Sequence, residues 1–145
     1  MATKTTSSTI LVASRGGHWV QLMLAEELLG NAVIKVSTHG NSEADFTIAD
    51  FSRTNIYKAP ISAWQSYKIL RDVRPRWVVS TGAAPGLLFL FIAKLTGKNT
   101  IWIDSMANTK KISLSGRLAS YFCNICLTQW EELANQKVQY HGRLL

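Results

Sequence analysis

Four short segments and one dipeptide hold the residues of this chain whose types and spacing could do chemistry. They are Ser14-Arg15-Gly16-Gly17-His18, Thr81-Gly82-Ala83-Ala84-Pro85-Gly86, Asp104-Ser105-Met106-Ala107-Asn108, Ser113-Leu114-Ser115-Gly116-Arg117 and Gln129-Trp130. In the first two, glycine lets backbone N–H groups approach a ligand, and each loop feeds a helix start, whose dipole favours an anion. A diphosphate is the natural occupant; the plainer alternative is a pair of tight strand-to-helix turns. His18 opens a helix beside the glycine turn, where a neutral ring can take a proton from an attacking hydroxyl, although a lone histidine is more often structural. Arg15 is either a phosphate contact or a solvated cation. Asp104 either binds a sugar hydroxyl or caps the next loop, and Asn108, Ser113 and Arg117 are candidates of the same kind.

Several familiar chemistries lack their signatures. There is no G-x-G-x-x-G for a dinucleotide, no G-x4-G-K-[ST] phosphate loop and no G-x-S-x-G nucleophile elbow. Cys123 and Cys126 have C-x-x-C spacing, but no second pair of ligands accompanies them, and Cys123-Asn124-Ile125-Cys126-Leu127 reads as a buried strand. They are expected in the core, with neither a metal nor a redox role. No cofactor is expected.

The elements that must position these residues alternate along the chain. Thr9–Ala13, Val33–Ser37, Trp77–Ser80, Thr100–Ile103 and Ile125–Thr128 are short apolar, β-branched runs, as strands buried on both faces require. Asn55–Ala59 is a weaker third strand and Val138–Tyr140 a seventh. Helices are predicted over 18–29, with Leu22, Ala25 and Leu29 inward and Gly30-Asn31 as the stop. Another runs from a Ser62 cap, with Ser66, Ile69, Leu70 and Val73 inward, to just before Pro75. A third covers 87–95, ending at Gly97, and a fourth is capped by Ser113, with Leu114, Leu118 and Phe122 as its stripe. Helix 87–95 is apolar nearly all round, so it is either sandwiched in the core or set against lipid or a partner. The alternation predicts a doubly wound, mostly parallel α/β sheet, and the functional segments then share its carboxyl edge. With strand order 3-2-1-4-5-6, the two glycine loops face each other across the switch point.

The 145 residues suit one domain, read as 1–145 with 1–8 as a flexible lead, and 47% hydrophobic with 17% charged residues excludes wholesale disorder. Net charge +7 and a pI near 9.7 favour an anionic partner. Because Lys110-Lys111 is the only adjacent basic pair, the pattern is not that of a nucleic-acid arm. Neither a signal peptide nor a run long enough to span a bilayer is present, so a cytoplasmic, peripheral protein is expected.

Taken in order, the blocks Ser14–His18, Ser80–Gly86, Ile103–Asn108 and Ser113–Leu118, with Gln129-Trp130 and Tyr140-His141-Gly142, resemble a known family. It is the bacterial exopolysaccharide relatives of the membrane-anchoring subunit of the dolichyl-diphosphate N-acetylglucosamine transferase. The resemblance covers nearly the whole chain. It implies a Rossmann-like domain equivalent to the N-terminal half of a GT-B glycosyltransferase, the half that holds the polyprenyl-diphosphate-linked acceptor. It also implies a heterodimer, in which a separate donor-binding subunit holds the nucleotide sugar and the pair transfers a hexose with inversion and no obligatory metal. In that reading Gly16, Gly17 and Thr81–Gly86 bind the acceptor diphosphate and first sugar, with Arg15, Asp104, Ser105, Asn108, Ser113 and Arg117 around them. His18 orients or deprotonates the attacking hydroxyl, or else the chain serves only to anchor and activate its partner. The rival expectations are a self-sufficient small-molecule α/β transferase, a basic nucleic-acid-binding module and a ligand-free structural adaptor. The eukaryotic subunit's N-terminal membrane helix has no counterpart here, which implies peripheral attachment.

Overall fold

A computed structural model describes residues 8–29, 33–38 and 43–144. Seven strands form one sheet in the order β3-β2-β1-β4-β5-β6-β7, and every neighbouring pair is parallel. They are β1 (Thr9–Ala13), β2 (Val33–Thr38), β3 (Phe46–Ile48), β4 (Trp77–Gly82), β5 (Asn99–Ile103), β6 (Ile125–Thr128) and β7 (Gln139–Tyr140). The helices are α1 (Gly17–Leu29), α2 (Ala59–Val73), α3 (Ala84–Leu95) and α4 (Leu114–Ala119). The α/β class, the switch point between β1 and β4 and the places of the first, second, fourth, fifth and sixth strands are as predicted, while a different segment takes the third place.

The continuous apolar strands follow from burial on both sides. Ile10 and Val12 of β1, Val78 of β4 and Trp102 of β5 pack with Ile69 and Leu70 of α2 and Phe89, Leu90 and Ala93 of α3. Leu11, Ala13, Val79 and Ile103 point the other way, against Trp19, Leu22 and Ala25 of α1. Phe89 and Leu90 are wholly buried, each contributing about 2 kcal/mol of apolar transfer. The helix 87–95 is therefore mainly a core element, although Phe91 and Leu95 reach solvent.

Four sequence expectations are corrected. The third strand is Phe46–Ile48, while Arg53–Lys58 forms a 3₁₀ turn capped by Ser52 and Asn55. Ile56 and Tyr57 mimic a strand in the sequence, but both side chains face solvent. Ser62 lies inside α2, which begins at Ala59 with Pro60 in its first turn; Arg74, at φ 54°, closes it. Leu29 is exposed, and the inward residues of α1 are Trp19, Leu22 and Ala25. The Leu114–Leu118 stripe also faces outward, because α4 turns Gly116 and Ala119 to the core and ends before Phe122. The Gly30-Asn31 stop and residues 1–7 lie outside the described residues.

Cys123 and Cys126 are free thiols. Burial pushes them up, to about 11 and about 12 respectively, with Thr100 and Lys94 partly offsetting the effect at Cys123. The folded thiols hold their protons where the unfolded chain releases them, so the stability they add is complete below pH 9 and is lost as pH rises through 11 to 12. Thiolate is the reactive form, so iodoacetamide at pH 8 should alkylate native Cys123 about 100-fold more slowly than urea-unfolded chain. Equal rates, read by mass spectrometry, would contradict its place in the packing.

Candidate functional site

The carboxyl ends of β1, β4 and β5 open into a cleft of about 690 Å³. Its walls come from the start of α1 (Gly17, His18, Gln21), the junction of β4 with α3 (Thr81, Gly82, Ala83, Ala84), the segment after β5 (Asp104, Ser105, Ala107, Asn108) and the start of α4. Phe51, Ser52 and Arg53 close the remaining side.

The two glycine loops meet as the strand order requires. Ser14 N–H donates to Gly82 O at 3.2 Å, Thr81 Oγ1 donates to His18 O at 2.6 Å, and His18 Nδ1 donates to Thr81 O at 3.2 Å. A carbonyl can only accept, so this last bond assigns the proton to Nδ1 and leaves Nε2 as the ring's acceptor. Gly82 has φ +134°, and a Cβ there would sit 2.4 Å from His18 Nδ1. Only glycine admits the ring so close to the loop.

Two helix starts border the cleft, at Gly17 and Ala84. No side chain caps α3, and because Pro85 has no N–H, Ala84 is the residue of its first turn that can offer an amide on the cleft wall. The start of α4 is different: Ser113 Oγ accepts from Gly116 N–H, and that helix end is already satisfied. Arg53 is the one Lys or Arg lining the cleft, and it makes no ion pair among the described residues.

Asp104 has its carboxylate fully engaged by protein donors. Oδ1 accepts from Trp102 Nε1 at 3.0 Å and Ser113 Oγ at 2.5 Å; Oδ2 accepts from Ser113 N–H at 3.0 Å and Asn108 Nδ2 at 3.3 Å. With 1% exposure, it is a clamp holding the 105–113 segment onto β5. Gln129 is equally buried. Its Nε2 reaches Gln21 Oε1 and Asp104 O, and its Oε1 accepts from Leu144 N–H. Gln21 in turn accepts from Met106 N–H and donates to Ser105 Oγ, which fixes that loop.

Ten of the fourteen sequence candidates thus line one cleft: Gly17, His18, Thr81, Gly82, Ala83, Ala84, Asp104, Ser105, Asn108 and Ser113. Four do not. Arg15 and Arg117 are exposed away from it, Gly16 shapes the turn at φ +101°, and Gly86 packs on Ser80, where a Cβ would meet Oγ at 2.3 Å. Arg53 and Gln21 were missed. Arg53 follows the actual third strand, Phe46–Ile48, which the sequence reading places at 55–59, whereas Gln21 lies one turn beyond His18 and its spacing could have marked it.

The family described as "Oligosaccharide biosynthesis protein Alg14 like" matches residues 47–144. The subunit ALG14 of the UDP-N-acetylglucosamine transferase from Eremothecium gossypii is 26% identical over 146 residues, covering 95% of this chain and 59% of its own length. The corresponding subunit from Yarrowia lipolytica is 26% identical over 100 residues, covering 63% and 46%. The chain thus spans about half the length of the curated relatives it matches. Among solved structures, Acinetobacter baumannii MurG superposes with a TM-score of 0.75 at 11% identity, over 92% of this chain and 45% of MurG. The UDP-N-acetylglucosamine 2-epimerase from Rickettsia bellii gives 0.73 at 10% identity, over 97% and 46%. At these identities the superpositions establish the fold, a Rossmann-like domain equivalent to half of a GT-B enzyme.

Proposed function

This chain belongs to the family of Alg14-like oligosaccharide biosynthesis proteins, and from that premise we propose that it is the acceptor-side subunit of a two-component glycosyltransferase. Residues 1–145 act as one acceptor-side half. A separate donor-binding subunit carries the nucleotide sugar, and the two together transfer a hexose to a polyprenyl-diphosphate-linked saccharide in polysaccharide biosynthesis. The chain acts in bacterial exopolysaccharide synthesis in this reading, at the inner face of the cytoplasmic membrane. Attachment to that face is peripheral in this reading; among the described residues, no helix is long and apolar enough to cross a membrane.

One observation carries the acceptor role: the uncapped start of α3 and the start of α1 meet in a single cleft beside Arg53 and His18. Helix-end amides and a guanidinium suit a diphosphate, which needs several donors and positive potential. His18 Nε2 then lies in the same cleft as the sugar hydroxyl that attacks. In the transfer that hydroxyl oxygen bonds to the donor's anomeric carbon as the bond to the nucleoside diphosphate breaks. Nε2 takes the released proton. Asp104 and Gln129 touch no reacting atom; they hold the loops in place.

Reconstitution tests the reading. Membranes containing the acceptor glycolipid and labelled nucleotide sugar receive this chain, the product of the adjacent gene, or both. Transfer that needs both is expected, while full transfer by the adjacent product alone, without binding to this chain, overturns the proposal. In the active pair, Arg53→Ala should raise the acceptor KM about tenfold with little change in kcat, since one charge-assisted contact to the diphosphate is worth about 1.4 kcal/mol. An unchanged KM would remove Arg53 from the diphosphate site.

A further inference from the structure

Helix α2 turns Ile69 and Leu70 to the core, but it buries two serines beside them and leaves large apolar side chains outside. The positions it turns to the core include Ser62 and Ser66, both wholly buried. Ser66 Oγ is reduced to bonding Ser62 O within the helix, and Ser62 Oγ has no partner among the described residues. The opposite face carries Ile61, Trp64, Tyr67, Lys68 and Arg71, with Trp64 at its centre and 59% exposed. The preceding 3₁₀ turn adds Ile56 and Tyr57, both exposed. Trp64 and Tyr67 stack at 6.1 Å between centroids, and Lys68 Nζ lies 6.0 Å over the Trp64 ring. A helix whose outer face meets only water would not be expected to carry Ile61, Trp64 and Tyr67 there.

We infer that the outer face of α2 and the 3₁₀ turn before it is the surface by which this protein sits on an anionic phospholipid bilayer. Tryptophan, tyrosine and lysine or arginine on one ridge is the composition of the membrane–water interface, with aliphatic side chains between them to enter the acyl boundary. The charge matches. From Asp50 to Arg76 there are six basic residues against two acidic; one of the acids, Asp72, is exposed beside Arg71 and pairs with it at 3.4 Å, while Lys68 makes no ion pair among the described residues. Position matters as well: the segment that lines the cleft at Ser52 and Arg53 runs straight into Ile56 and Tyr57. Across the cleft, Leu114 lines the wall and is half exposed, with Leu118 one turn beyond it. A bilayer touching both banks would present a lipid diphosphate at the cleft mouth without leaving the headgroup layer. Nucleic acid fits less well, because Ile56 and Ile61 would find no apolar counterpart along a phosphate backbone.

This inference rests on the lipid-linked acceptor of the proposed function for its purpose, but its test needs neither acceptor nor partner. The full chain is pelleted with bare vesicles of phosphatidylcholine containing about a third phosphatidylglycerol. Co-sedimentation is expected, falling at least tenfold in a Tyr57→Ser, Ile61→Ser, Trp64→Ser variant and about tenfold in Lys68→Glu, Arg71→Glu. To separate contact from misfolding, Trp64→Phe is read by quenching with brominated lipids. It should keep pelleting within twofold yet lose most of the wild-type quench. Pelleting unchanged in the triple variant overturns the inference, as does quenching unchanged in Trp64→Phe. A triple variant that still pellets but no longer assembles with the donor subunit would make the ridge a protein interface instead. Failure of vesicle binding leaves the transfer assay intact, and failure of transfer leaves vesicle binding intact, so the two ideas fall separately.

Discussion

Asp104→Ala is expected to destabilise the protein by about 4 kcal/mol, lowering the thermal midpoint by about 12 °C for a chain of this size. The magnitude comes from what the substitution leaves behind. Trp102 Nε1, Ser113 N–H, Ser113 Oγ and Asn108 Nδ2 all donate to this carboxylate, which is 1% exposed. Each buried donor deprived of its acceptor costs about 1 to 3 kcal/mol, and partial access of water to the cleft side reduces the sum. Asp104→Asn retains one acceptor oxygen but turns an amide toward donors, so about half the loss is expected. The cleft should suffer with the fold, because the same bonds fix the start of α4 and the segment from Ser105 to Ser113. Gly116 leaves no slack: a Cβ there would lie 2.5 Å from Asp104 Oδ1 and 2.7 Å from Ile112 Cγ2. Differential scanning fluorimetry of both variants is the check, and an alanine variant melting within a couple of degrees of the parent would show that the clamp contributes nothing.

The sheet was legible in the sequence because its central strands are buried on both faces and so read as unbroken apolar runs between glycine-bearing loops. What the sequence concealed lies at the edge and on the surface. Phe46-Thr47-Ile48 is too short for a period to show, and Phe46 and Thr47 are exposed. Ile56-Tyr57 has strand-forming residue types for another reason, since both project outward from a 3₁₀ turn. Leu114 and Leu118 misled in the same way, being apolar and helical in spacing yet turned to solvent. In the last two cases an exposed apolar residue reads as core, and the error has one physical root. Hydrophobicity reports that a side chain avoids water, not whether protein or another apolar phase covers it.

The site shows the same division. His18 and the glycine loops were found because a parallel sheet sends the ends of β1 and β4 to one edge, whatever the loops contain. Arg53 arrives from the connection after a strand that was placed in the wrong segment, so its proximity could not be inferred. Asp104 was found, but sequence cannot distinguish a carboxylate that faces a ligand from one whose lone pairs are already taken. Trp102, two residues earlier on the same strand, is the donor that helps to settle it.

In the reconstituted pair, His18→Ala should lower kcat about 10³-fold while leaving the acceptor KM within about threefold. The argument runs from the hydrogen bonds. Thr81 O accepts a hydrogen bond from Nδ1–H, so in the neutral ring the lone pair is on Nε2, on a ring that lines the cleft. Proton removal is needed only as the hydroxyl attacks, so losing the ring should affect turnover rather than ground-state binding. A purely positional ring predicts a different pattern. His18 also joins the two glycine loops, and if that were its whole contribution, alanine would loosen the diphosphate site and raise KM with kcat little changed. Gly82→Ala provides an independent approach, since its Cβ would displace the ring by contact at 2.4 Å and φ +134° already disfavours any side chain. It should reduce kcat in the same direction as His18→Ala, and combining the two should cost little more than either alone, because both remove one function. Fully additive losses would mean that Gly82 and His18 act separately, and unchanged turnover in His18→Ala would assign the chemistry to the donor-binding subunit.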